Sequence, residues 1–244
     1  MKYLHTTPWS GAPDLASGLV IRSAPGHPGF PIRLAAEIFL RAHHDLGGGR
    51  LTVWDPCCGV GGLLCTVGFL HPDKIAHIVA SDIDPDAVGI AQRNLSLLTP
   101  EGRSVREAEL RARPQRPHTL AALAALGRLQ PALAPGQLQT LRADAAAPPA
   151  PPVGQVDLVL ADLPYGKQVG FQGLQPPFAA VAGGVRPHVR SGGLLVLVCP
   201  RKTGSLPEGF ERIRKLKAPL NRAVWFLRRF DGGATRRTDR VLED

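Results

Sequence analysis

The sequence predicts an α/β fold: a mostly parallel, seven-stranded sheet with helices on both faces and an inserted helical segment. Three observations lead there. Short apolar runs alternate with helical patterns along most of the chain, as crossover-connected parallel strands require. The runs that matter end in an acid, with Asp55, Asp82, Asp144 and Asp162 each at or just past a predicted strand end. Two alternating segments near the C-terminus read as a closing antiparallel pair. At 244 residues and 44% hydrophobic, the chain suits one large domain over 1–244 with its own core.

Residues 1–46 form an N-terminal extension and a first helix. Residues 1–30, rich in Gly, Pro and Ser, are expected to be extended. The helix covers 31–46, with Pro31 in its first turn and the glycines of 47–49 stopping it. Leu51 to Asp55 is a buried strand, followed by a Gly-rich turn at 59–62 and a helix to about Leu70. His77 to Asp82 is the second strand. The next helix covers 85–98, with Asp84 as its N-cap and Pro85 in its first turn. Residues 99–136 interrupt the alternation with many arginines, two helical patterns and the breakers Pro114, Pro117, Pro131 and Pro135. Strands are expected at 137–142, 156–162 and 193–199, a loop at 143–153, a helix at 176–190, and the closing pair at 209–217 and 222–230. The polar tail 231–244 is expected to be disordered.

The formal net charge is +9, which attracts phosphate and makes nucleic acid a sensible partner. The Ala, Arg, Gly and Pro bias, with little Lys, is also what GC-rich coding yields. Cys57, Cys58, Cys65 and Cys199 lack C-x-x-C or zinc-ligand spacing, so reduced thiols in a cytoplasmic protein are expected. Met1 to Pro8 carries no apolar stretch of the signal-peptide kind, and no apolar run approaches the ~20 residues of a membrane span. No metal site and no obligate protein partner is expected; the chain reads as a monomer.

Ligands of such sheets bind beyond the carboxyl ends of the strands, where the strand order reverses. Every motif of interest falls there. Asp55-Pro56-Cys57-Cys58-Gly59-Val60-Gly61-Gly62 has neither dinucleotide spacing nor a P-loop lysine. Its acid followed by G-x-G resembles the nucleoside-binding turn of class I methyltransferases, where the acid meets the methionine ammonium of S-adenosylmethionine. The plainer alternative is an ordinary strand-to-helix turn. Asp82 lies 23 residues past Gly59, well placed to accept from both ribose hydroxyls. Asp144 is a candidate acceptor for the adenine amino group, or simply a loop-initiating Asp. Cys57, Gly59, Gly61, Ile83 and Asp162 complete the cofactor set expected from these strand ends.

Asp162-Leu163-Pro164-Tyr165-Gly166 carries the reaction class. An exocyclic amine on a base is a poor nucleophile because its lone pair is delocalised into the ring. Asp162 and the carbonyl of Leu163 or Pro164 can accept its hydrogens, Pro164 stiffens the turn, and Tyr165 offers a face for stacking, worth ~1–3 kcal/mol. The segment is similar to the D-P-P-Y signature of amino methyltransferases; Leu163 departs from it. With Ser23 to Gly26, Phe30 to Ala35, Trp54 to Gly59 and Ala80 to Pro85, the chain resembles the avilamycin-resistance rRNA methyltransferase A family over roughly residues 14–200. The resemblance implies a Rossmann-like class I methyltransferase fold and S-adenosylmethionine as donor. It also implies methylation of a guanine, expected at exocyclic N2, in 23S rRNA or the large subunit, with antibiotic resistance as a role in some relatives. It places Phe30 and Arg33 in the cofactor pocket.

Other readings compete. Adenine N6, a tRNA guanine or a protein glutamine suits the same turn, and a non-catalytic binder of RNA or cofactor is a third class. Cys199, in the region where some cytosine methyltransferases keep a nucleophile, reads better as a small buried residue, because those enzymes have Pro-Cys where Pro164-Tyr165 stands. His43 and His44 point in different directions on one helix, which argues against a shared ion. The basic runs 103–116, 201–202, 212–217 and 236–240 are candidates for phosphate contact, each with a solvated face as the stronger reading.

Overall fold

The computed structural model describes residues 2–8, 12–16, 18–151, 153–163, 177–202, 205–219 and 221–231. Its strands are β1 (Leu51–Asp55), β2 (Ile75–Asp82), β3 (Leu138–Arg142), β4 (Val156–Asp162), β5 (Val189–Pro200), β6 (Phe210–Ala218) and β7 (Arg222–Arg229). They form one sheet in the order β3-β2-β1-β4-β5-β7-β6. Strand β7 runs antiparallel to both neighbours, and the other adjacent pairs are parallel. The chain builds outward from β1 through β2 to β3, then returns to place β4 on the other side of β1. That reversal opens a crevice at the carboxyl ends of β1 and β4.

The helices are α1 (Pro13–Ala16), α2 (Ile32–Asp45), α3 (Gly62–Leu70), α4 (Pro85–Leu95), α5 (Pro100–Arg111), α6 (Pro117–Arg128) and α7 (Pro177–Val185). Successive strand residues point to opposite faces, so each strand feeds two cores. Val53, Ile78, Leu158, Val196 and Phe226 pack with Leu34, Ile38 and Phe39 of α2 and Leu64 of α3. Trp54, Val79, Val159, Leu197 and Trp225 pack on the other face with Phe178 and Val181 of α7. Each of these large side chains stabilises the fold by about 1.5–3 kcal/mol. A third cluster joins Leu110 of α5 with Ala122, Ala125 and Leu126 of α6 around Val20 and Leu97, so the inserted helices are anchored to the N-terminal segment.

Several boundaries differ from expectation. Pro31 is the N-cap of α2, with ψ at 120°, and not a residue of its first turn. Strand β5 starts at Val189 because a register shift between Val156 and Leu158 lets it run past Gly192-Gly193, which read as a turn in the sequence. The helix expected over 176–190 stops at Val185 and gives way to a 3-10 turn at Arg186–His188. Residues 1–30 are not simply extended; they include α1 and a bridge between Ala24 and His27. The insertion holds the two helices expected, and Asp84 caps α4 by accepting from the Asp86 amide at 2.9 Å. The tail expected to be disordered lies, beyond Asp231, outside the described residues.

Candidate active site

A cleft of about 1190 Å³ lies over the carboxyl ends of β1–β4. The turn after β1 forms its floor. Gly59 has φ +51°, and a Cβ there would sit 2.8 Å from Nδ1 of His27, so the turn passes the N-terminal segment too closely for a side chain. Gly61, at φ +77°, is the N-cap of α3 and packs on Ala91; it supports the turn without lining the cleft. The amide of Cys58 donates to the Ser81 carbonyl at 2.9 Å, tying the turn to β2.

The four expected acids converge. Asp55 is buried and accepts from the Cys57 amide at 3.0 Å. Burial pushes its carboxyl well above the usual range, against that hydrogen bond, and the charges of Asp82 and Asp162 push the same way. Asp82 accepts from the amides of Gly59 at 2.8 Å and Asp84 at 3.1 Å, so its carboxylate is fixed by the turn it faces. Ile83, 46% exposed, offers a bare apolar surface to the cleft. Asp144 accepts from the Ala146 amide at 2.9 Å and lies on the same wall. Cys57 and Cys58 also face the cleft; burial and then the surrounding acids push both thiols well above the usual cysteine range. Cys199 is buried within the sheet.

Asp162 ends β4 with its two oxygens in different surroundings. Oδ2 accepts from Nη1 of Arg222 at 3.2 Å, whereas Oδ1 is buried without a hydrogen-bond partner among the described residues. Burial raises its carboxyl to about 6, and Arg222 opposes the rise. The Arg222 guanidinium lies 5.9 Å from the centroid of the Phe30 ring, and Phe30 lines the cleft. Leu163 is buried at the cleft edge, its amide donating to the Val198 carbonyl at 2.9 Å. Pro164 and Tyr165 lie outside the described residues.

Two residues at this site carry no local sequence signal. Arg222 is distant in sequence from Asp162, and only the return of β7 beside β5 brings it there. Asn94 is buried on α4; its amide donates to the carbonyls of Arg22 and Val60, and its oxygen accepts from the Arg22 amide. It thereby fastens the N-terminal segment to the floor turn. Arg33, by contrast, does not line the cleft: it donates to the Thr6 carbonyl at 3.0 Å and lies 4.2 Å from the Tyr3 ring centroid. Many arginines of the basic runs are structural, as Arg103 on the Leu126 carbonyl and Arg214 on Asp45 illustrate.

The sequence profile described as rRNA methyltransferase AviRa matches residues 1–219. The chain belongs to this family. A relative from Streptomyces viridochromogenes named 23S rRNA (guanine(2535)-N(1))-methyltransferase is 42% identical over 196 residues, covering 75% of this chain and 78% of the relative. The solved structure of rRNA methyltransferase AviRa from the same organism superposes with a TM-score of 0.77 at 33% identity, covering 93% of this chain and 96% of that one. TrmN from Thermus thermophilus shares the fold at a TM-score of 0.54 and 18% identity, covering 90% of this chain and 52% of that one. The AviRa-family chain is thus a methyltransferase with the class I fold. The name of the Streptomyces relative puts that protein's methyl group on ring N1 of a guanine, where exocyclic N2 was the expectation for this chain.

The class I fold implies S-adenosylmethionine, and the residues present fit it. The acids that line the cleft suit a ligand carrying ammonium and sulfonium charges. Asp55, Asp82 and Ile83 line the cleft together, which puts two carboxylates and an exposed apolar side chain within one cavity.

Proposed function

We propose that this AviRa-family chain methylates ring N1 of a guanosine in 23S rRNA, with S-adenosylmethionine as donor. One observation carries the chemistry: Asp162 lines the cleft, and among the described residues one of its carboxylate oxygens is buried without a partner while Arg222 occupies the other. Guanine N1 carries a proton and becomes nucleophilic only as that proton leaves. S-adenosylmethionine, when bound, supplies a methyl group on a positively charged sulfur that departs as a neutral thioether. Asp162 takes the N1 proton on Oδ1 while the bond from N1 to the methyl carbon forms and the carbon–sulfur bond breaks. A base that titrates near 6 is ionised at neutral pH and close enough in affinity to share the proton in the transition state. Arg222 holds Oδ2 and thereby aims Oδ1.

The cleft volume supports this reading. About 1190 Å³ exceeds the ~300–1,000 Å³ typical of a site for one small ligand, leaving room for a cofactor and an inserted base. The base enters by flipping out of its local stack. Leu163 lies at the cleft edge directly after Asp162, and the sequence continues into Pro164 and Tyr165, an aromatic suited by type to stacking a base. Phe30, Asp55, Cys57, Gly59, Asp82, Ile83 and Asp144 hold the cofactor. The same proposal includes resistance: expressing the chain in a sensitive bacterium raises the inhibitory concentration of a drug bound beside the methylated guanosine.

The test is methyl transfer from radiolabelled S-adenosylmethionine to unmodified 23S rRNA, with 16S rRNA and tRNA alongside, followed by nucleoside mass spectrometry. We expect label in 1-methylguanosine from 23S rRNA. Label in N2-methylguanosine moves the target atom and returns the reaction to amine chemistry. Label in adenosine or tRNA overturns the substrate, and no label in any RNA despite bound cofactor overturns the RNA reading.

A further inference from the structure

We propose that a second cavity, between the N-terminal segment and the inserted helices, seats a backbone phosphate of the RNA substrate. The inference rests on the rRNA reading above. The cavity measures about 440 Å³ and is lined by Arg22, Arg93, Arg106, Arg113 and His118. Glu109 is the carboxylate that pairs there, and a single oxygen of it serves two guanidiniums: Oε2 lies 2.5 Å from Arg22 Nη2 and 3.0 Å from Arg106 Nη1. Four arginines against one glutamate leave an excess of three positive charges at the wall, counted without His118.

Arg106 is the decisive residue. It is 4% exposed, yet its Nε has no hydrogen-bond partner among the described residues. Burial pulls its guanidinium below the usual range, Glu109 opposes that, and the charges of Arg22 and Arg113 add to the pull. A buried charged donor left unsatisfied is costly unless something arrives to accept from it. A phosphate entering the cavity balances the positive charge that Arg106 helps to gather there and relieves the repulsion among its neighbours. Guanidinium forks suit phosphate oxygens in geometry as well as charge.

The location favours RNA over a free anion. Gly18, Ile21, Arg22 and Ser23 form a wall common to this cavity and the active-site cleft. A strand whose base enters the cleft can therefore lay its adjacent backbone across that wall into the arginines. This assigns a task to the insertion: α5 carries Arg106 and Arg113 stands just beyond its end, while α6 carries His118.

The experiment measures affinity of the full chain for a 23S rRNA fragment against salt concentration, in wild type and in an Arg93→Ala/Arg113→Ala double variant. Both positions are exposed, so the variant keeps its core. Arg111→Ala, exposed on α5 and outside the cavity, is the control for general loss of charge. Each lost phosphate contact lowers the slope of log affinity against log salt by about 0.7–0.9. We expect the double variant to lose about 0.7–0.9 in slope, the share of the one seated phosphate, and roughly tenfold in affinity, well beyond Arg111→Ala, with S-adenosylmethionine affinity unchanged. Arg106→Gln, which removes the charge, is expected to weaken RNA binding in the same way. A double variant matching the Arg111→Ala control overturns this proposal and leaves the rRNA reading standing. Failure of the wild type to bind the fragment overturns both.

Discussion

Replacing Arg222 with methionine tests how the site controls its base. Methionine keeps much of the apolar stem beside Phe30 and removes the charge 3.2 Å from Asp162 Oδ2. Asp162 titrates near 6 because burial raises it from 3.8 while Arg222 holds it down. An adjacent guanidinium lowers a carboxylate by about 1–3 units, so its loss moves Asp162 to around 8 if the middle of that range applies. A base that must be ionised then becomes scarce at low pH. At pH 7.5 the ionised fraction falls from nearly all to about a quarter, a fourfold loss of rate, and below pH 6 the deficit approaches a hundredfold. Above pH 9 both forms are ionised and the rates converge. The assay is single-turnover methyl transfer to 23S rRNA over pH 5 to 9.5, with saturating donor. A deficit of constant size across the range would refute the reasoning, because Arg222 would then be acting by shape or by contact with the substrate, and not through Asp162.

Other perturbations follow from individual contacts. Glu37 on α2 is buried and accepts from the amides of Leu4, His5 and Thr6, the Thr6 hydroxyl and the buried Arg41 guanidinium; Glu37→Ala leaves Arg41 unpaired and is expected to cost about 3–5 kcal/mol by denaturant unfolding. Burial raises the Glu37 carboxyl, but its hydrogen bonds outweigh that and hold it below its ordinary 4.5. Its stabilisation is therefore present above that pH and lost as pH falls through the lower folded value, so wild-type stability should drop in acid more steeply than that of the variant. Asp82→Asn retains only one of the two acceptors engaged by Gly59 and Asp84; calorimetry should show donor binding weakened about 10–100-fold, or ~1.5–3 kcal/mol, and unchanged affinity would remove Asp82 from the cofactor set. Gly59→Ala forces a side chain into the left-handed region and against His27; strain of about 1–3 kcal/mol and a donor affinity at least tenfold weaker are expected, whereas wild-type affinity would mean the turn is not in contact with the ligand.

Much of this architecture was legible because parallel strands buried on both faces leave long apolar runs, and because acids that end them stand out. Asp55, Asp82 and Asp162 could be read that way, as could the helical insertion with its proline breaks. Strand β5 was underestimated because Gly192-Gly193 looks like a turn until Val156 and Leu158 are seen to shift register beside it. Arg33 was misplaced because a cation beside an aromatic in the N-terminal segment gives no sign of whether it faces the cleft or Thr6 and Tyr3. Arg222 could not be found at all, since an arginine opening a C-terminal strand is one of many in a basic chain and acquires meaning only from its sheet neighbour. The phosphate cavity was hidden for the same reason: Arg22, Arg93 and Arg106 belong to three separate segments, and the basic run 103–116 resolves into arginines with quite different duties. The D-x-P-Y pattern marks a seat for a base and does not say which of its nitrogens is methylated, so the choice between N1 and N2 was not legible.

Strand β7 enters the sheet between β5 and β6, so β6 has no neighbour to pair with until the strand made after it arrives. During synthesis the floor turn and all four acids of the cleft therefore emerge before the edge of the sheet can close. Arg222, the first residue of that last strand, is delivered only at closure. The counter-charge of Asp162 is therefore set by the pairing of β7, and until that hairpin closes the acid at the end of β4 stands without it.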